Sequence, residues 1–248
     1  MVYSIGAEVN PLNLELLEQI QKYFGGVGSI SQSDNMYYYE ISSIKSLLSV
    51  RKHFEEYPLQ TTKYFYFKLW CQFMDIIEKK EGFTKLGINK VLSIQYLFTR
   101  ELSAKFLEVY FKGKFLPIVK PVFEPSVLNL NPNWIVGFVQ ADGTFDLNYI
   151  RQFRMKLGYT CQPQFRVTRH KRDLIVLKRI IESMGCGTIV RPSGYRDRYG
   201  ISVASISYLV NVVIPLFEKY PLYGAKHKDF LDFRKGVYII KDKGHLTP

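Results

Sequence analysis

The segment of this sequence with the clearest chemical potential ends in a single carboxylate, Asp142. Asn131 can cap a helix whose first residue is Pro132, because the first helical turn leaves that N–H unpaired in any case. We predict that this helix runs to about Ala141 and that Gly143 breaks it. Asp142 would then lie beside free backbone carbonyls and the negative end of the helix dipole, where a hard divalent cation finds oxygen ligands and a favourable field.

Asp-Gly alone does not establish a metal site, since this dipeptide is also among the commonest turn sequences. A plain turn from a helix into a hairpin therefore stays open as an alternative for residues 142–143. Gly137 and Ala141, four residues apart, put two small side chains on one face of the predicted helix. A second helix could approach this face unusually closely.

Several segments of the chain occur twice in the same order. Phe-Glu-Glu-Tyr-Pro-Leu at 54–59 returns as Phe-Glu-Lys-Tyr-Pro-Leu at 217–222, an offset of 163 residues. A lysine follows four residues after each leucine, at Lys63 and Lys226. The sequence therefore predicts two copies of one unit, arranged as a first, incomplete repeat at 1–85, a linker at 86–131 and a second repeat at 132–248.

Each unit combines helices with strands, which predicts an α+β fold. Apolar residues at helical spacing, such as Leu17 and Ile20, indicate an amphipathic helix that glycines end. In residues 158–169, apolar and polar side chains alternate as on a half-buried strand, although Pro163 argues against a fully paired central position. The linker begins as a predicted helix over about 91–111.

Positive charge is concentrated in one stretch of the second repeat. The chain has 34 Lys and Arg against 22 Asp and Glu, a net charge of +12 that favours a polyanionic partner. Residues 151–198 hold 12 Lys and Arg against 3 Asp and Glu, whereas residues 1–85 hold 9 against 10. An ordinary solvated strand face is the alternative to our prediction, which is a nucleic-acid-binding sheet. It would contact phosphates through Arg151, Arg154, Lys156, Arg191, Arg196 and Arg198, and bases through the strand face of Gln162, Gln164, Arg166 and Thr168.

Composition excludes other classes of protein. A hydrophobic content of 47% and an aromatic content of 15% exclude a disordered or collagen-like chain. The three cysteines lie far apart, which argues against a disulfide framework or a zinc site. No apolar run reaches the roughly 18 residues of a membrane span, so we expect no membrane partner. The N-terminus, without a basic residue before Lys22, is unlike a signal peptide or an organellar presequence.

Residues 134–145, Trp-Ile-Val-Gly-Phe-Val-Gln-Ala-Asp-Gly-Thr-Phe, resemble the LAGLIDADG motif of homing endonucleases. The duplication and the two Tyr-Pro-Leu-x-x-x-Lys elements are similar to the single-chain, two-motif branch that organellar introns encode. The resemblance implies two αββαββα units about a pseudo-two-fold axis, with saddle-shaped antiparallel sheets along the DNA major groove. It also implies a monomeric, mitochondrial, site-specific endonuclease that makes double-strand breaks in DNA for intron homing.

The same resemblance implies roles for three residues. Asp142 matches the carboxylate that binds Mg²⁺ at a scissile phosphate, where the metal activates water and stabilises the leaving oxygen. Lys226 and, in the first repeat, Lys63 match the basic residue that stabilises charge on the phosphate. A solvated surface position is the alternative for either lysine.

The sequence departs from the family pattern in two places. Gln140 stands where the eponymous motif has aspartate, at a position that is not the metal ligand. Subtracting the repeat offset from Asp142 gives a position about 18 residues before Met1, so we expect the first motif helix and its acid to come from an upstream segment. The alternative function is an RNA-binding maturase that assists splicing of its own intron, which needs the basic sheet but not paired acids.

Overall fold

The computed structural model describes residues 2–99, 130–154 and 158–244. Contacts among them divide the chain into two compact units. One unit joins residues 2–41 to the described residues from 130 onward, and the other contains residues 42–99. In the described part of the chain, no helix is long and apolar enough to span a membrane.

A three-stranded antiparallel sheet, called here the first sheet, opens the chain. Its elements are β1 (Tyr3–Glu8), α1 (Pro11–Tyr23), β2 (Ser29–Ser33) and β3 (Met36–Ile41), and the strand order is β1-β3-β2. Helix α1 begins at Pro11 because Asn10 Oδ1 accepts a hydrogen bond from Leu12 N at 2.9 Å. Leu17 is the buried residue of this helix.

Residues 42–99 form three helices: α2 (Ile44–Glu56), α3 (Lys63–Glu78) and α4 (Lys85–Thr99). Phe65, Leu69 and Ile76 of α3 are buried together with Ile94 of α4. The linker helix is predicted to begin near residue 91, but α4 begins at Lys85. The cause is a cap, because Thr84 Oγ1 accepts a hydrogen bond from Gly87 N at 3.0 Å. The rest of that predicted helix, from residue 100, lies outside the described residues.

The second repeat contains a larger antiparallel sheet of four strands, called here the second sheet. Its elements are α5 (Pro132–Asp142), β4 (Gly143–Arg151), β5 (Tyr159–His170), α6 (Leu174–Met184), β6 (Thr188–Val190), β7 (Arg198–Val203), α7 (Ile206–Tyr208), α8 (Ile214–Lys219) and α9 (Gly224–Lys241). The strand order is β4-β5-β7-β6. A π-helical turn, Leu209–Val213, joins α7 to α8.

The two sheets confirm the predicted duplication and the α+β class. The order β1-β3-β2, with α1 after its first strand, repeats as β5-β7-β6 with α6. The repeated tyrosines also agree: Tyr57 has φ −118° and ψ 79°, and Tyr220 has φ −123° and ψ 90°. In the second repeat α5 and β4 precede this shared set, whereas the described residues 2–41 begin at β1.

Strand β5 accommodates its proline by pairing on one side there. The strand predicted over 158–169 is observed as Tyr159–His170, with Phe165 and Val167 fully buried. Pro163 is paired with Leu147 of β4, and pairing with β7 begins only at Phe165. The missing N–H of the proline therefore removes no hydrogen bond to β7.

Aromatic side chains hold α9 against the second sheet. The ring of Phe145 on β4 lies 5.5 Å from that of Phe230 and 5.3 Å from that of Phe233, centroid to centroid. Gly236 permits the close approach, because a Cβ there would lie 2.9 Å from Leu147 Cδ2. This packing fixes the helix that carries Lys226 next to the strand that follows Asp142.

Candidate active site and nucleic-acid interface

The predicted motif helix is α5, and its capping is confirmed. Asn131 Oδ1 accepts a hydrogen bond from Asn133 N at 2.9 Å, and a proline is the first helical residue. Asp142 ends the helix and Gly143 begins β4. Glycine is required at this junction, because a Cβ on residue 143 would lie 2.8 Å from Val139 O.

The two faces of α5 differ in burial. The buried residues pack into the core of the second repeat, and they are Ile135, Val136, Phe138 and Val139. Gly137 and Ala141, the predicted small-residue face, are exposed. Within the described ranges, a Cβ added to Gly137 would meet no atom within 4 Å beyond its own helical turn. This face is therefore open to close approach by another element.

Asp142 forms an ion pair that the sequence had not predicted. Arg169 Nη1 donates a hydrogen bond to Asp142 Oδ1 at 2.8 Å, and both side chains are 23% exposed. The Arg169 guanidinium also lies 5.1 Å from the centre of the Phe138 ring. Its buried Nε has no hydrogen-bond partner among the described residues. A cation on the same strand face as Phe165 and Val167 was the signal that could have identified Arg169 from the sequence.

Lys226 lies beside the same junction. Its Nζ donates a hydrogen bond to the backbone carbonyl of Gly143 at 2.9 Å and lies 3.9 Å from Asp229 Oδ2. The Lys226 side chain is only 22% exposed, unlike a fully solvated surface lysine. Asp142, Arg169 and Lys226 thus meet around one peptide group at the end of α5.

Lys63 occupies the corresponding place in the first repeat, as the first residue of α3. Its backbone N donates a hydrogen bond to Thr61 Oγ1 at 3.2 Å, and its side chain is exposed. This lysine belongs to the helical unit of residues 42–99, and Lys226 to the other unit.

Gln140, the residue that departs from the eponymous motif, joins α5 to α9. Its Nε2 donates to Tyr223 O at 3.1 Å, and its Oε1 accepts from Tyr223 N at 2.9 Å. Tyr223 immediately precedes α9. Sequence reasoning gave this position little weight, because a partner 83 residues away leaves no local pattern.

The polar residues predicted for base contacts share one face of the second sheet. Gln162, Gln164, Arg166 and Thr168 alternate along β5 with the buried residues. Neighbouring strands hold two of them: Arg166 donates twice to Asp146 Oδ2, at 2.6 and 2.9 Å, and Gln164 Nε2 donates to Ser202 Oγ at 2.6 Å. Gln162 is exposed and Thr168 is half-buried.

The predicted phosphate-binding arginines lie at both ends of that sheet. Arg151 and Arg154 are exposed at the β4–β5 connection, and the Arg151 guanidinium lies 4.9 Å from the Phe153 ring centre. Arg191 and Arg196 are exposed at the β6–β7 connection, where Arg191 Nη2 donates to Arg196 O at 2.7 Å. Arg198, the first residue of β7, lies opposite His170, the last residue of β5. Lys156 lies outside the described residues.

The exposed face of the first sheet has a different chemistry. Strand register and burial place nine residues there, and none of these nine is lysine or arginine: Ser4, Gly6, Glu8, Ser29, Ser31, Ser33, Met36, Tyr38 and Glu40. A Cβ on Gly6 would lie 3.2 Å from both the Met36 and the Tyr38 side chains, which therefore close over the glycine. This face therefore lacks the arginines that lie on and at the ends of the second sheet.

The metal-binding capacity of the site rests on few donors. Across the described ranges, no three His, Cys, Asp or Glu side chains come together as metal ligands. Burial raises the pKa of the Cys71 thiol to about 11 and also raises the pKa of Cys161 and Cys186. These thiols therefore stay protonated at neutral pH, and a protonated thiol is a poor metal ligand.

Comparison with known proteins gives consistent results. The Neurospora crassa protein named "Probable intron-encoded endonuclease 3" is 33% identical over 237 residues, which cover 95% of this chain and 44% of that protein. A 50.9 kDa protein in ND4 intron 1 of Podospora anserina is 32% identical over 120 residues, 48% of this chain and 26% of that protein. The chain spans about half the length of the first of these relatives and of a second Neurospora crassa relative, named "Probable intron-encoded endonuclease 2", covering 44% and 54% of them.

A solved structure extends the match to the fold. I-SmaMI bound to its uncleaved DNA target with calcium ions superposes with a TM-score of 0.90 at 29% identity, covering 100% of this chain and 83% of that chain. The model of the LAGLIDADG endonuclease family matches residues 2–74 and 135–237, more than half of the sequence. On this match, and on the motif helix and duplicated sheets described above, the chain belongs to the LAGLIDADG endonuclease family.

Proposed function

We propose that this chain is an intron-encoded, site-specific DNA endonuclease that makes double-strand breaks for intron homing. The observation that carries the proposal is the meeting of Asp142, Arg169 and Lys226 around the Gly143 peptide, at one end of the second sheet. A carboxylate beside two cations suits a phosphodiester, whose charge needs neutralising while a metal is held close to it. Family membership supports the same reading.

The second sheet has the length and chemistry to bind duplex DNA. Twelve residues of β5 extend roughly 40 Å at about 3.3 Å per residue, close to one turn of B-DNA. Arginines at both ends of the sheet suit phosphates, and Gln162, Gln164 and Arg166 between them carry the forked groups that read base edges in the major groove. The sheet would bind one half of a long target.

Asp142 is the residue that would hold Mg²⁺. A single carboxylate fits this ion, which is commonly held by one or two carboxylates while water and substrate phosphate oxygens complete its shell. Bound there, Mg²⁺ would supply an activated water and a counter-charge for the leaving oxygen. Arg169 and the ion would share this carboxylate, because the arginine hydrogen bond uses Oδ1 and Oδ2 could face the metal.

Lys226 would place its ammonium next to the phosphate. Its present acceptor, Gly143 O, belongs to the residue that follows Asp142 in the chain. A phosphate oxygen that takes the place of this carbonyl would receive a charge-assisted hydrogen bond as negative charge develops. The repeat assigns the same role to Lys63 on the other strand of the target.

The proposed location is the mitochondrion, supported by the relative in an ND4 intron. The RNA-binding maturase alternative is not favoured, because the relatives with a stated activity are named endonucleases. Intron RNA nevertheless serves as a useful arm of the test below.

Replacing Asp142 with Asn tests the proposal. The probe is a duplex that spans the intron-insertion junction of the intronless host gene, assayed with Mg²⁺ for cleavage and by gel shift for binding. We expect Asp142→Asn to lower the cleavage rate at least about 100-fold while the duplex stays bound. Asp232→Asn, which breaks the exposed ion pair with Lys235, is the matched control and should cleave normally. Wild-type protein that binds intron RNA tightly, without Mg²⁺, and shows no selectivity for the duplex would refute the nuclease.

A further inference from the structure

Two parallel cross-links join the end of α5 to the start of α9. The first is the reciprocal pair of hydrogen bonds between the Gln140 amide and the backbone of Tyr223. The second is the hydrogen bond from Lys226 Nζ to Gly143 O at 2.9 Å. Gln140 and Gly143 are three residues apart, and so are their partners Tyr223 and Lys226. The two cross-links therefore enclose the junction at Asp142 between them.

Only an uncharged amide satisfies both groups of Tyr223. The Tyr223 carbonyl needs a donor and its N–H needs an acceptor, and glutamine supplies both. A carboxylate supplies acceptors alone, so glutamate would face the Tyr223 carbonyl with like partial charge, and aspartate is also one methylene shorter. Glutamine at position 140 also adds no second negative charge two residues from Asp142.

The far side of the same turn is fixed by the first repeat. Ala225 N donates to Asn13 Oδ1 at 3.4 Å, and Asn13 Nδ2 donates in turn to Glu8 O at 3.1 Å. Gly224 adopts φ +61°, and a Cβ there would lie 3.0 Å from Leu12 O. With that side closed by backbone, the Gln140 amide determines how far the start of α9 stands from α5.

We propose that Gln140 is a positioning residue for Lys226: it fixes the first turn of α9 so that the ammonium reaches the peptide next to Asp142. The inference rests on the proposed function for its effect on cleavage. The position of Lys226 does not depend on the proposed function and is measurable in the free protein.

A double-mutant cycle tests the coupling. Gln140→Met keeps the side-chain length and removes both hydrogen bonds, and Lys226→Met removes the ammonium. At saturating duplex, we expect Gln140→Met and Gln140→Glu each to lower kcat about tenfold with the dissociation constant for DNA unchanged. In the Lys226→Met background, the further loss from Gln140→Met should be less than about twofold, because the two residues act as one unit. Full additivity of the two losses would overturn the proposal.

The control variant is Gln21→Met. Gln21 Nε2 also donates to a backbone carbonyl, that of Gly28, at 2.9 Å. Gln21→Met loses a comparable side-chain hydrogen bond in the same unit. Because that bond links Gln21 to neither α5 nor α9, kcat should not change. A loss of kcat equal to that of Gln140→Met would mean that general destabilisation explains both variants, and the positioning role would fall.

A second readout does not need cleavage. In protein labelled with ¹³C at the lysine Cε, the Lys226 resonance is the one that Lys226→Met removes. We expect it to shift in Gln140→Met and Gln140→Glu and to stay in place in Gln21→Met. An unshifted resonance in both Gln140 variants overturns the proposal even if the chain cuts DNA. A shifted resonance in a chain that cuts no DNA would refute the nuclease while the positioning role stands.

Discussion

Arg169 Nη1 lies 2.8 Å from Asp142 Oδ1, and both side chains keep the same fraction, 23%, exposed to solvent. The carboxylate proposed to hold a divalent cation is therefore already neutralised by the Arg169 guanidinium, which belongs to β5. If Asp142 holds Mg²⁺ as proposed, this pair would lower its affinity for the ion, because the guanidinium already neutralises the carboxylate. A DNA phosphate would compete with this carboxylate for the guanidinium, which can pair bidentately with either group.

Replacing Arg169 with Met should strengthen metal binding in the absence of DNA. The carboxylate loses its competitor, so we expect the apparent dissociation constant for Mg²⁺, measured by calorimetric titration, to fall about tenfold. The free energy of unfolding without metal should fall by about 1 to 2 kcal/mol, because a half-buried carboxylate loses its ion pair with Arg169. Lys171→Met, which breaks the exposed pair with Asp197, is the control. Unchanged Mg²⁺ affinity in Arg169→Met would show that the pair does not restrict the site.

Lys226→Met and Lys63→Met should each slow the cutting of one DNA strand. If each lysine supports one scissile phosphate, a single variant should accumulate nicked plasmid, with the affected strand cut about 100-fold more slowly. The double variant should cut neither strand. Lys45→Met, an exposed lysine on α2, should cut both strands normally. Equal slowing of both strands by either single variant would contradict this division of labour.

Arg151 and Arg166 should respond differently to salt and to sequence. Arg151 is exposed at a strand end, so Arg151→Ala should weaken binding to all duplexes and reduce the slope of log K against log salt by about 1. Arg166 lies on the base-reading face, so Arg166→Ala should cost about 1 to 3 kcal/mol of discrimination at one base pair.

Fluorescence anisotropy at several salt concentrations, with a set of duplexes that each carry one substituted base pair, separates these two effects. Glu218→Ala, which breaks an ion pair with Arg234 on α9, provides a variant outside the sheet and should alter neither quantity. A uniform loss of affinity for Arg166→Ala, without any change in base preference, would place that arginine among the phosphate contacts.

Cys71 should make stability fall at alkaline pH. Burial raises the pKa of this thiol from 9.0 to about 11, so the folded state retains a proton that the unfolded state releases first. The stabilisation is fully present below pH 9 and is lost as the pH rises through the folded-state pKa near 11. Urea unfolding of wild type and Cys71→Ala between pH 8 and 11 checks this. The decline should be shallower in Cys71→Ala, and parallel curves would rule out a contribution from this thiol.

Local chemistry made part of the site predictable from the sequence. Asn131, Pro132 and Gly143 act within a few residues of where they stand, so the bounds of α5 and the place of Asp142 followed from capping rules. The start of α4 did not, because apolar spacing reports the buried face and not the Thr84 cap. Duplicated segments likewise predicted two copies of one unit, and the orders β1-β3-β2 and β5-β7-β6 agree with that prediction.

Contacts between distant segments were the part that the sequence could not supply. Arg169 reaches Asp142 only because β5 returns beside β4, which places residue 167 opposite residue 143. Gln140 meets Tyr223 only because α9 packs on β4 through Gly236. Neither pairing leaves a periodic trace along the chain, and both involve residues whose types are common on solvated surfaces.

The serine, methionine and tyrosine side chains on the exposed face of the first sheet would hold a duplex by contact and by hydroxyl groups, against the repulsion of its phosphates by Glu8 and Glu40. The arginines of the second sheet would hold it by releasing condensed counterions. The two sheets would therefore bind a duplex through different interactions, and rising ionic strength would first weaken the contacts of the second sheet. Dissociation at high salt would begin at the second sheet, and the contacts of the first sheet would break last.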